Sequence, residues 1–63
     1  MQYDKRFLKQ LIGKRVDVYL VNGIRLSARL EGNLPVAVIL KDDRHGGSLL
    51  VYKHSITTVT EVR

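Results

Sequence analysis

The sequence predicts a mostly β fold: one N-terminal α-helix, then five short antiparallel strands in a strongly bent sheet that forms a small open barrel. Three observations carry this expectation. Asn22-Gly23 stands between two runs with the two-residue period of half-buried strands. Val36-Ala37-Val38-Ile39-Leu40 is an uninterrupted apolar run, the composition of a strand covered on both faces. Ile56 to Val62 is β-branched except at Glu61, which favours an extended, pleated chain.

The helix is expected over 4–14. Asp4 can cap it, because a carboxylate there accepts from the free N–H groups of the first turn. Tyr3, Phe7 and Leu11, with Leu8 and Ile12 beside them, make an apolar stripe, and Gly13 suits the left-handed residue that ends a helix. Lys5, Arg6 and Lys9 fill the remaining face, either simply solvated or gripping phosphates. A first strand over 15–21 puts Val16, Val18 and Leu20 on one face. Asn22-Gly23 reads as a two-residue type I′ turn, which needs positive φ at both residues. The second strand, 24–32, alternates Ile24, Leu26, Ala28 and Leu30 with Arg25, Ser27, Arg29 and Glu31. Gly32-Asn33-Leu34-Pro35 interrupts the pattern, since Pro35 cannot donate to a ladder. Strands over 36–41, 49–53 and 56–62 follow, separated by a polar loop containing Gly46-Gly47 and by the short His54-Ser55 link. All this forms one domain, 1–63, without internal repeats.

So small a core is marginal. Ordering each residue costs ~1.5 kcal/mol, which burial in a short chain barely offsets. With no cysteine there is no disulfide or thiolate metal site, so self-assembly is the remaining remedy and a homo-oligomer is expected. Eleven Lys and Arg against six Asp and Glu give a net charge of +5, which favours polyanionic partners, nucleic acid above all. No apolar run reaches the ~18 residues of a membrane span and no secretory signal is evident, so a cytoplasmic protein without a membrane partner is expected. Catalysis has no constellation to carry it. His45 and His54 lack a third ligand for zinc, Asp42 and Asp43 are adjacent and diverge, and no phosphate-cradling loop or nucleophile elbow is present, so neither an enzyme nor a cofactor is expected. Binding fares better. Single-stranded nucleic acid wants flat π-faces and cations, which Tyr19 and the set Arg25, Lys53 and His54 can offer; alternatively, Tyr19 is a core-edge aromatic and Lys53 a solvated charge.

Two stretches go further. Tyr19-Leu-Val-Asn-Gly-Ile-Arg-Leu26 and Val51-Tyr52-Lys53-His54-Ser55-Ile56-Thr57-Thr58-Val59 resemble, in order and spacing, the two signatures of the Hfq family, the bacterial Sm-like (LSm) RNA chaperones. The Tyr-Lys-His block is the more specific, and the resemblance covers nearly the whole chain as a divergent member. It implies the Sm-like fold and a hexameric ring, with the fourth strand of one protomer pairing with the fifth of the next. It implies binding of single-stranded RNA, both small RNA and mRNA, in post-transcriptional regulation. On a distal face, purine-rich RNA would meet Tyr19, Asn22, Gly23, Ile24, Arg25, Leu26 and Thr58. At a proximal pore, U-rich RNA would meet Lys53 and His54. The family's Gln-aromatic pair at the third strand is replaced by Pro35-Val36, which removes a stacking ring there. Leu49 stands near the position of a Gln that reads adenine. An arginine-rich rim is reduced to Lys14 and Arg15 within Ile12-Gly13-Lys14-Arg15, and the tail of many members has no counterpart after Arg63. The alternative is an Sm-fold, ring-forming assembly module that has lost specific RNA binding and acts through protein partners.

Overall fold

The structure is a computed structural model that describes residues 5–44 and 46–62. Tyr3, the Asp4 cap, His45 and Arg63 lie outside the described residues, as does the side chain of Lys5. Helix α1 (Lys5–Leu11) precedes β1 (Arg15–Leu20), β2 (Arg25–Asn33), β3 (Ala37–Lys41), β4 (Ser48–Tyr52) and β5 (Ile56–Glu61), with a 3₁₀ turn at Lys53–Ser55. The strands form one antiparallel sheet in the order β4-β3-β2-β1-β5.

Helix α1 stops at Leu11, short of residue 14. Gly13 takes φ +87° and its N–H donates to Leu30 O at 2.7 Å, so the chain is already bonded to β2 when it leaves the helix. Seven residues cannot hold a helix in water alone. Leu8 and Leu11 are buried and fix it to the sheet, whereas Phe7 and Ile12 stay exposed. The apolar stripe is therefore narrower than expected, because two turns bury a single ridge.

The β1–β2 hairpin differs from expectation. Asn22 has no positive φ; only Gly23 does, at +87°. Gly23 N–H donates to Leu20 O at 3.0 Å and Leu20 N–H to Ile24 O at 2.8 Å, so Val21-Asn22-Gly23 is a three-residue loop with glycine in the left-handed position. Asn22 Oδ1 accepts from Ile24 N–H at 3.1 Å and stiffens it.

Behind the hairpin, Val16 faces Ala28 and Val18 faces Leu26. With Leu8, Leu11, Leu30, Val38, Leu40 and Ile56 these residues make the core, to which Leu26 contributes from a half-buried position. Two bulges bend the sheet around it. One follows Leu30, where Gly32 comes opposite Ile39; a Cβ on Gly32 would lie 3.3 Å from Ile39 Cδ1. The other lies between Tyr19 and Leu20, where the extra residue Thr57 donates from Oγ1 to Tyr19 O at 3.1 Å. In β3, Ala37, Val38 and Leu40 are buried and Ile39 is half-buried, as the uninterrupted apolar run demands. The outermost strands are β4 and β5, and Leu49, Leu50 and Tyr52 on β4 are exposed.

Candidate nucleic-acid interface

One face of the sheet is covered by α1 and the other is free of it. Residues directly opposite in an antiparallel ladder share a face, so the register defines cross-strand rows on the free face. Thr58, Tyr19 and Arg25 form the first, across β5, β1 and β2. Thr60, Asp17 and Ser27 form the next, and Ser27 Oγ donates to Asp17 Oδ1 at 2.6 Å. A third row, across β1, β2 and β3, consists of Arg15, Arg29 and Lys41.

A groove of about 360 Å³ runs along this face, with Arg25 and Arg15 in its lining and Ser27 between them. Its wall is the β3–β4 loop, which contributes Asp42, Asp43 and Arg44. The loop closes on itself, Gly46 N–H donating to Asp42 O at 2.8 Å and Asp42 N–H to Gly47 O at 2.9 Å. It is tied back across the sheet by an ion pair between Asp43 and Arg15.

Of the residues singled out in the sequence, Tyr19, Arg25 and Thr58 come together in one row, and Asn22, Gly23 and Ile24 continue from it into the hairpin loop. Leu26 does not join them. Its side chain points to the core, opposite Val18, because it is one residue out of phase with Arg25. Lys53 and His54 occupy the 3₁₀ turn. Lys53 N–H donates to Val36 O at 2.8 Å, and Val21 N–H donates to Ser55 O at 2.9 Å, which docks the turn beside the hairpin loop. A shallow pocket lined by Asn33, Leu34, Pro35 and Lys53 adjoins it. Lys14 pairs with Glu61 at 3.6 Å, so both basic residues expected at the rim already face a carboxylate.

One pairing escaped the sequence. The Tyr52 and His54 rings stack with centroids 5.7 Å apart and 8° between planes. No strand periodicity could have found it, because β4 ends at Tyr52 and His54 lies in the 3₁₀ turn that folds its ring back onto Tyr52. Among the described residues no group of three His, Cys, Asp or Glu could hold a metal ion, and no helix is long and apolar enough to cross a membrane.

Known proteins share the sequence pattern and the fold. The family model described as "Hfq protein" matches residues 4–63. The chain belongs to the Hfq family. Among curated relatives, the "RNA-binding protein Hfq" of Desulforudis audaxviator (strain MP104C) is 42% identical over 59 residues, covering 90% of this chain and 69% of that protein. The protein of the same name from Desulforamulus reducens is 40% identical over 48 residues, which is 76% of this chain and 58% of the relative, so the match spans less than two thirds of that protein. A crystal structure titled as that of "the pleiotropic translational regulator, Hfq" superposes with a TM-score of 0.79 at 28% identity, covering 87% of this chain and 92% of the other. The helix and bent five-stranded sheet are thus the Sm-like fold of the Hfq family.

Proposed function

We propose that this chain is the subunit of a cytoplasmic hexameric ring that binds single-stranded RNA, purine-rich sequences in preference, on the helix-free face. It acts on small RNAs and mRNA as an RNA chaperone, without catalysis or cofactor. The observation that carries the reading is the row Thr58–Tyr19–Arg25: an aromatic plane flanked by a hydroxyl and a cation, held on adjacent strands. A base can stack on the phenol ring while the guanidinium meets its phosphate. Two further observations support it. The relatives carry the name RNA-binding protein, and both outer strands offer an edge to a neighbouring protomer. At the Lys53–His54 turn the lysine and the imidazole remain, but Val36 offers no ring, so U-rich RNA is held there more weakly.

Titration of the purified assembly with purine-rich and oligo-U RNA tests this reading. Purine-rich RNA should bind tighter. Tyr19→Ala should remove most of the preference, since stacking is worth ~1–3 kcal/mol per base. Arg25→Ala should instead weaken both RNAs and flatten the salt dependence by ~0.7 for each phosphate no longer neutralised. Oligo-U binding as tightly as purine-rich RNA, and indifferent to Tyr19→Ala, would move the site to the pore. An intact ring with no affinity for either RNA would leave the assembly-module reading.

A further inference from the structure

We infer that Arg15, Arg29 and Lys41 form a second, sequence-blind row that holds the phosphodiester backbone of RNA leaving the Tyr19 row. The inference rests on the proposed helix-free RNA face and extends its footprint from Arg15, already expected at the rim, to Arg29 and Lys41, which neither the family signatures nor that rim includes.

Three cations stand side by side across β1, β2 and β3, each directly opposite the next. Side chains so opposed have Cβ atoms about 4.5–5.5 Å apart, and like charges at that spacing destabilise a sheet. The fold relieves this only at one end, where Asp43 pairs with Arg15. Among the described residues Arg29 and Lys41 enter no ion pair, and both are exposed. Two unneutralised cations on adjacent strands, beside a third that Asp43 holds, are a poor structural device and a good polyanion-binding surface.

The row is also connected to the first. Arg25 and Arg15 line the same groove, with Ser27 on its floor and Arg44 on its wall. Tyr19 and Arg15 are four residues apart on one strand, so the rows are separated by about 13 Å at ~3.3 Å per residue. A free phosphate or a single nucleotide cannot span that distance while stacked on Tyr19, whereas a continuous RNA strand can. Between the rows lie Asp17, Ser27 and Thr60, and the outer row itself carries no ring. It offers charge without a stacking surface, so it reads phosphates and not bases. Two carboxylates, Asp42 and Asp43, also line the groove, and Asp43 competes with phosphate for Arg15.

The experiment compares, on the purified assembly, a short purine-rich oligonucleotide with the same oligonucleotide extended by flanks of unrelated sequence. In the parent protein the extension should tighten binding at least fivefold, whatever the flank sequence. The double variant Arg29→Gln, Lys41→Gln should lose that gain and lower the salt slope by ~0.7 for each phosphate released, with the short oligonucleotide unaffected. The charge-keeping pair Arg29→Lys, Lys41→Arg should restore the gain, which separates charge from packing. Asp43→Asn should tighten the extended RNA alone. The inference is overturned if extension brings no gain in the parent protein, or if the double variant binds both lengths as the parent does. It is equally overturned if the double variant weakens both lengths by the same factor. Failure of the Tyr19 reading looks different: purine preference is then absent, while extended RNA of any sequence still depends on Arg29 and Lys41.

Discussion

Gly23 holds its backbone at φ +87°, with no atom within 4 Å of where a Cβ would stand. Gly23→Ala therefore meets no clash and loses only conformational ease. An L-residue in the left-handed region costs ~1–2 kcal/mol, and chemical denaturation should report a loss of that size. Gly32 is the opposite case. Its φ is not positive, but a Cβ would sit 3.3 Å from Ile39 Cδ1, the far end of a side chain that can rotate away. Gly32→Ala should cost less than Gly23→Ala in the same measurement. The hairpin itself was legible in Asn22-Gly23, but its loop length was not legible in that pair alone. A two-residue loop would set Val18 opposite Ser27 and Val16 opposite Arg29, turning one strand's apolar face against the other's polar one. The third loop residue restores Val18 to Leu26 and Val16 to Ala28. The spacing of the two apolar series held that information, and the turn dipeptide did not.

At the scale of elements, α1 depends on the sheet. Leu8 and Leu11 are its only buried side chains among the described residues. Leu8→Ala removes one of these anchors, and a buried Leu→Ala change costs ~2–5 kcal/mol. The expected outcome is loss of the helical circular-dichroism signal at a lower temperature than the sheet signal, with fast amide exchange confined to the helix. The helix was legible from its periodicity, yet the expected stripe included Phe7 and Ile12, which are exposed. Periodicity shows which side chains line up; it does not show how wide a surface lies beneath them. Strand β3 was legible in the apolar run, but the strand begins at Ala37 and Val36, beside Pro35, is exposed, so only four of the five apolar residues lie in it. Of the candidate site, the row of Tyr19, Arg25 and Thr58 was expected only as members of one face. Their side-by-side placement needed the register, as did that of Arg15, Arg29 and Lys41, which are scattered along the sequence.

For the whole molecule, the two outer strands decide the behaviour. Strand β4 presents Leu50 at 53% exposure, and β5 carries the β-branched run from Ile56 to Thr60. Pairing of these edges between protomers would make stability depend on concentration by mass action. The melting temperature should therefore rise with protein concentration, and Leu50→Lys should shift the assembly toward monomers in sedimentation velocity. A parent chain that stays monomeric at micromolar concentration would sink the ring reading.

The sheet order has one more consequence, for the sequence of events in folding. Strands β1, β2 and β3 each pair with the next along the chain, whereas β5 must return across about 40 residues to reach β1, closing the longest loop in the fold. It is therefore expected to dock last. Until it does, β1 lacks its second neighbour and the outer edge that β5 brings does not exist. A partly folded chain can then offer a partner the β4 edge but not the complementary one. In a ring joined through these edges, assembly would then wait on completion of the fold.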